Sequence, residues 1–315
     1  SLDKQQNVGT TSTVVFQTVN TTVQLKNSLG NFIDVGTVQY YSGAWRDFGV
    51  TTSGVVTKEL LPNNYSFRMN YAFASLDKQQ NVGTTSTVVF QTVNTTVQLK
   101  NSLGNFIDVG TVQYYSGAWR DFGTTTNGVT AKELLPNNYS FRMNYAFASS
   151  DKAQDITNNS IVVFQTVNTT VQLKNSLGNF IDVGTVQYYS GAWRDFGVTT
   201  SGVATKELLP NNYSFRMTYE FISNDKAQNI GTNNIVEFRT VLCNVSVTDA
   251  QNQIVNNAVV SYYSGAWRNL GTTLNGTVTK ELLPANLTFR AVSGSKQADK
   301  TQNILTNNIV EIKLP

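Results

Sequence analysis

The sequence predicts an all-β fold: a tandem array of small β-sandwich domains with about seven strands each. Three observations carry that reading. The pentapeptide Ser-Gly-Ala-Trp-Arg recurs at Ser42–Arg46, Ser116–Arg120, Ser190–Arg194 and Ser264–Arg268, 74 residues apart each time. Within a unit, apolar and polar side chains alternate with the period of two expected of half-buried strands. Turn residues interrupt that alternation at the spacing of sandwich folds, and no stretch of about ten residues carries a helical stripe.

The elements follow in order. Val14 and Phe16 alternate with Val15 and Gln17, although both faces carry an apolar residue. Val23 and Leu25 alternate with Gln24 and Lys26, and Tyr65, Phe67, Met69 and Tyr71 alternate with Ser66, Arg68, Asn70 and Ala72. Between them lie Asn27-Ser28-Leu29-Gly30-Asn31, Ser42-Gly43, Ser53-Gly54 and Pro62-Asn63-Asn64, all turn signals.

The period fixes the organisation. Residues 1–74 and 75–148 differ at only four positions, Val50 against Thr124 among them, while the unit at 223–296 has diverged. A period of 74 residues exceeds that of solenoids and suffices for a small domain of its own. Residues 297–315 match residues 1–19, so the phase places complete domains at 20–93, 94–167, 168–241 and 242–315, with 1–19 as the closing strands of a preceding repeat. Joining segments such as Thr92-Val93-Asn94 are too short for flexible linkers, and neighbouring domains are expected to hold a fixed angle, as in a stiff rod. The fourth domain lacks the Lys26 and Gly30 equivalents, which suggests that it lies nearer a specialised end.

Composition excludes several function classes. Charged residues make up 14% of the chain, and the net charge of +3 is spread thinly. Nucleic-acid binding needs clustered Lys and Arg, and none are adjacent here. No apolar run approaches the roughly 18 residues of a membrane span. There is no His and one Cys, Cys243, which reads as a small buried apolar side chain and excludes a disulfide framework. Without His, paired carboxylates or an activated nucleophile, an enzyme is not expected, and no cofactor is implied. Asp34, Asp47, Glu59 and Asp77 are scattered, with no calcium-loop spacing.

The order Val23 to Asn31, Gly36 to Tyr41, Thr52-Ser53-Gly54 and Leu61-Pro-Asn-Asn-Tyr65-Ser-Phe67 resembles the Cna-B-like and carboxypeptidase-regulatory-like domains. These are transthyretin-like, Ig-like β-sandwiches repeated in microbial surface proteins. The resemblance covers every unit but consists of turn and core residues, so it implies a fold and an extracellular, cell-surface location rather than a chemistry. Some Cna-B-like domains carry a Lys–Asn isopeptide bond. Lys26 sits at the corresponding strand but alternates with Val23 and Leu25 and reads as outward-facing, and Lys58 and Glu59 read as solvated charges.

Two further groups are candidate sites. Asn-x-Ser/Thr sequons, acceptors of N-linked glycans in a secretory setting, occur at Asn20, Asn64, Asn94, Asn138, Asn158, Asn168, Asn212, Asn244, Asn275 and Asn286. The aromatics Tyr41, Trp45, Tyr115, Trp119, Tyr189, Trp193, Tyr263 and Trp267 could stack on sugars, with Arg and Asp bonding hydroxyls. The competing reading places alternate members in the core, since adjacent Tyr40 and Tyr41 must point to opposite faces. The function expected is a structural or adhesive stalk or filament segment, partnered by itself or by neighbouring domains of a longer chain. The alternative is a multivalent carbohydrate- or matrix-binding array.

Overall fold

The structure, a computed structural model, describes residues 3–10 and 12–315. It is all-β among those residues, with four successive groups of seven strands. In the first group these are β1 (Val19–Lys26), β2 (Thr37–Tyr41), β3 (Trp45–Val50), β4 (Val55–Leu60), β5 (Asn64–Tyr71), β6 (Ala74–Asn81) and β7 (Thr87–Gln91). A three-stranded sheet in the order β4-β1-β7 faces a four-stranded sheet in the order β3-β2-β5-β6. The other groups repeat both sheets, opening at Val93, Val167 and Val241. Two compact units result. The first runs to Tyr145 and adds Ser149–Gln165, and the second is Ala146–Ala148 with Thr166–Pro315.

The alternation read from the sequence sets which face is inside. Val23, Leu25, Phe67, Met69, Val88 and Phe90 are fully buried between the sheets of the first sandwich. β1 is the central strand of its sheet. It pairs antiparallel with β4, Val19 opposite Leu60, and parallel with β7, Thr22–Lys26 lying beside Thr87–Gln91. Turn chemistry closes the loops as expected: Asn27 Oδ1 accepts from the backbone N–H of Leu29 and Asn31, at 3.0 and 2.9 Å. Asp34, the carboxylate nearest the Ser53-Gly54 turn, accepts from the Gly54 N–H at 2.6 Å. Tyr65 holds the entry to β5 through its hydroxyl, which donates to the Leu61 carbonyl four residues upstream at 3.1 Å.

The diverged fourth sandwich keeps the same architecture by compensating inside. A Cβ on Gly36 would lie 2.7 Å from both the Leu25 side chain and the Met69 sulfur, so a larger residue there needs those neighbours to move or shrink. The fourth has Ala258 at that position, with Val247 and Ala291 replacing the leucine and methionine, and all three are buried. The added methyl fills part of the space that the shorter neighbours vacate. Likewise Asn252 replaces Gly30 and takes a left-handed φ of 63°, which asparagine tolerates. Cys243 is buried at the start of this core, and burial pushes its thiol up to about 12.

Residues 3–18 form no strand among those described. They keep fragments of the β6–β7 hairpin geometry all the same. Lys4 Nζ donates to the Val15 carbonyl at 3.1 Å, as Lys78 does to Val89, and the Gly9 N–H donates to Asn7 Oδ1 at 2.9 Å, as Gly83 does to Asn81. Val8 and Phe16 are exposed there, whereas Val82 and Phe90, their counterparts, are buried. No helix among the described residues is long and apolar enough to cross a membrane.

Candidate functional site

The aromatic motif divides between the two faces of the four-stranded sheet. Tyr40 points inward, in edge contact with Phe48 and Tyr65 at 6.1 and 5.8 Å between ring centroids. Tyr41 points outward and lies opposite Trp45 across the β2–β3 hairpin, their rings 5.5 Å apart. Trp45 therefore lies on the outer face, while the alternate members Tyr40 and Phe48 face the core. Its ring is half-exposed and the Arg68 guanidinium lies over it at 4.1 Å. Arg68 also bonds both carboxylate oxygens of Asp77, at 2.7 and 2.8 Å, which lowers the Asp77 pKa below its usual value. Tyr115–Trp119, Tyr189–Trp193 and Tyr263–Trp267 repeat the pair at 5.5 Å, each with an arginine over the tryptophan ring. One indole face is thus already occupied in every sandwich.

The inward member of the motif reaches a different target. In the first unit, the Tyr114 hydroxyl of the second sandwich donates to the Ala72 carbonyl of the first at 2.9 Å, and Ser116 Oγ donates to the Phe73 carbonyl at 2.7 Å. Ala72 and Phe73 are the central residues of the two-residue β5–β6 turn, with φ of 48° and 61°. Such a turn needs positive φ at both positions and favours Asn and Gly there. Alanine and phenylalanine in this region cost about 1–2 kcal/mol each. The exposed Phe73 ring receives the Arg120 guanidinium at 4.0 Å, and Arg120 Nε has no hydrogen-bond partner besides that ring face.

Glu133 completes the junction. It stands on the strand equivalent to β4 in the second sandwich, Val129–Leu134. Its carboxylate accepts from the Ser28 N–H at 3.3 and 3.2 Å, from the Ser28 hydroxyl, and from the Thr92 hydroxyl. Thr92 joins the two sandwiches, and its N–H donates to the Lys26 carbonyl at 2.9 Å. Burial, and then the Glu133 charge, raise the Tyr71 phenol pKa above its usual value. Glu133 corresponds to Glu59, which is exposed as a solvated charge; at Glu133 the same residue is a half-buried carboxylate with three donors, a structural clasp. Lys26 does face outward, its Nζ 5.1 Å from the Phe32 ring centroid.

The second unit reproduces the junction with different turn residues. Tyr262 donates to the Glu220 carbonyl at 2.9 Å, Ser264 to the Phe221 carbonyl at 2.7 Å, and Arg268 lies 3.7 Å from the Phe221 ring centroid. Glu281 accepts from Ser176 and from the Thr240 hydroxyl. Glu220, in place of alanine, adds an ion pair with Lys280 at 2.8 Å.

The sequons take two kinds of position. Asn20, Asn64, Asn94, Asn138, Asn158, Asn168, Asn212, Asn275 and Asn286 are exposed. Asn244 lies inside a strand, paired on one side with Thr279 and on the other with Ile309, and its Oδ1 is buried without a partner.

The fold defines the class: a tandem β-sandwich array in which consecutive sandwiches of a unit are joined by dedicated side chains. No protein-family model matches the chain, and no characterised protein matches its sequence. Among solved structures it is similar to the TIE protein of Bacillus anthracis, with 12% identity over 96% of this chain and 75% of that one, at a TM-score of 0.25. It is similar to BcpA, the major pilin subunit of Bacillus cereus, with 10% identity over 94% and 98% at a TM-score of 0.23. A third is the pilus adhesin SpaC of Lactobacillus rhamnosus GG in its open conformation, with 8% identity over 90% of this chain and 54% of that one, at a TM-score of 0.25.

Proposed function

We propose that this chain is a structural segment of an extracellular stalk or filament, in which the sandwiches of a unit are spacers locked to one another. One observation supports it above the others. Tyr114, Ser116, Arg120 and Glu133, each repeated in every sandwich, bind the preceding sandwich, and Tyr262, Ser264, Arg268 and Glu281 do the same in the second unit. A chain whose repeated polar residues serve the joints is suited to transmitting length and direction. Low charge and a hydroxyl-rich surface fit an exposed location outside the cell, as do the sequons.

Small-angle scattering from a series of chains with one, two, three and four sandwiches tests the reading. A maximum dimension that grows by a constant step with each added sandwich is the expected result. Chains that collapse or scatter as flexible beads would refute it. Surface labelling of intact source cells with an antibody against the repeat tests the location.

A further inference from the structure

The incoming side of the first sandwich carries the complete joint set. Tyr40, Ser42, Arg46 and Glu59 correspond to Tyr114, Ser116, Arg120 and Glu133 and to Tyr262, Ser264, Arg268 and Glu281. Where the set is engaged, both tyrosines are fully buried and the serines, arginines and glutamates are half-buried. In the first sandwich Tyr40 is only half-buried, while Ser42, Arg46 and Glu59 are exposed. Leu61 is likewise partly open, whereas Leu135 and Leu283 are 0% exposed. Arg46 turns back on its own hairpin, its Nε 3.4 Å from the Ser42 carbonyl.

Building on the stalk reading, we infer that this face is a docking site for another sandwich of the same kind, specifically for a two-residue left-handed hairpin tip with phenylalanine second. The recognition chemistry is explicit in the two engaged copies. The tip's two carbonyls take hydroxyls from Tyr and Ser, its phenyl ring takes the guanidinium, and the glutamate takes one serine and one threonine hydroxyl. The fourth sandwich shows the complementary loss. Its tip is Gly294-Ser295, without a ring, and Ala250 and Leu314 replace the serine and threonine that a following glutamate would grip. That sandwich receives a neighbour but offers no tip.

Restoring the tip tests this. The full chain with Ser293→Tyr, Ser295→Phe and Ala250→Ser offers the missing ring and hydroxyl, and is followed by sedimentation velocity as concentration rises toward the roughly millimolar level that a short linker supplies within a chain. The expected result is head-to-tail association, the mean mass rising from one chain to two and beyond. Adding Arg46→Ala and Glu59→Ala should return it to one chain. A folded variant that stays monomeric at every concentration, or association indifferent to the changes at Arg46 and Glu59, overturns the inference. A second measurement needs no altered chain. A cyclised peptide of residues 64–81 is titrated into the unmodified protein and followed by NMR, with a Phe73→Ala peptide as control. Shifts confined to the surroundings of Tyr40 and Arg46, and lost with the control, support the site; no shifts, or equal shifts, count against it. Failure of these tests leaves the scattering series untouched, so the two readings fall separately.

Discussion

Arg120 lies over the ring of Phe73, its guanidinium 4.0 Å from the centroid, and that ring is held outward by a left-handed turn in the preceding sandwich. An exposed phenyl ring with φ of 61° gives its own sandwich nothing. Its worth lies in the neighbour. Cation–π pairs of this exposure contribute about 0.5–1 kcal/mol. Phe73→Ala should therefore loosen the first joint while leaving both cores folded. Heteronuclear relaxation would read it as separate tumbling of the two sandwiches, with little change in melting temperature.

The Glu133 clasp should cost more to break. Glu133→Ala leaves the Ser28 N–H and the Thr92 hydroxyl without their acceptor, and half-buried donors left unmade cost about 1–3 kcal/mol. Glu133→Gln should retain part of the grip through its amide oxygen. A double-mutant cycle with Thr92→Val, followed by chemical denaturation, separates the pair's coupling from the loss of each group alone.

The turn itself sets stability against docking. Replacing Ala72 by glycine removes a left-handed strain of about 1–2 kcal/mol and keeps the carbonyl that Tyr114 uses. Ala72→Gly should stabilise the first sandwich with the joint intact. Phe73→Gly should stabilise the β5–β6 hairpin and release the neighbour. Thermal melts paired with relaxation data distinguish the two, and a Phe73→Gly chain that keeps a rigid joint would show that the ring is idle.

How much of this was legible depends on how far apart the partners lie. The inner face of each sandwich follows from period two, since Val23 and Leu25, or Phe67 and Met69, need only a nearest-neighbour rule. The pairing of Tyr41 with Trp45 was within reach as well. The three-residue loop between them places them opposite one another on one face, which moves the tryptophan out of the core. The joint was not readable in this way. Tyr114 meets Ala72 across 42 residues and Glu133 meets Ser28 across 105, so no local pattern separates Glu133 from an ordinary solvated glutamate. One signal was present: an Ala-Phe pair at a tight hairpin turn, where asparagine and glycine belong, repeated at 74-residue spacing.

Alkaline conditions should loosen the joints. The Tyr114 hydroxyl donates to Ala72 only while protonated. Burial holds its pKa above the usual value of about 10, with Arg120 pulling the other way and Tyr71 and Asp121 adding to the rise. A raised folded value means a contribution that is complete below the ordinary tyrosine range and lost as pH rises through the raised one. Tyr114→Phe should lower stability at neutral pH by about 0.5–1.5 kcal/mol and flatten the decline above pH 10. Denaturation midpoints of both chains across the alkaline range check the sign.

The parallel pairing of β7 with β1 carries a mechanical consequence. A sandwich is entered at the head of β1 and left at the tail of β7, and the two strands lie side by side in the same direction from Thr22–Lys26 to Thr87–Gln91. Tension applied through the backbone therefore slides one strand along the other and loads every bond of that ladder together. Antiparallel neighbours pulled from one end would part bond by bond, as a zipper does. Each sandwich is expected to resist force abruptly and then yield in a single step, and a saw-tooth of even, high peaks in single-molecule pulling would record it.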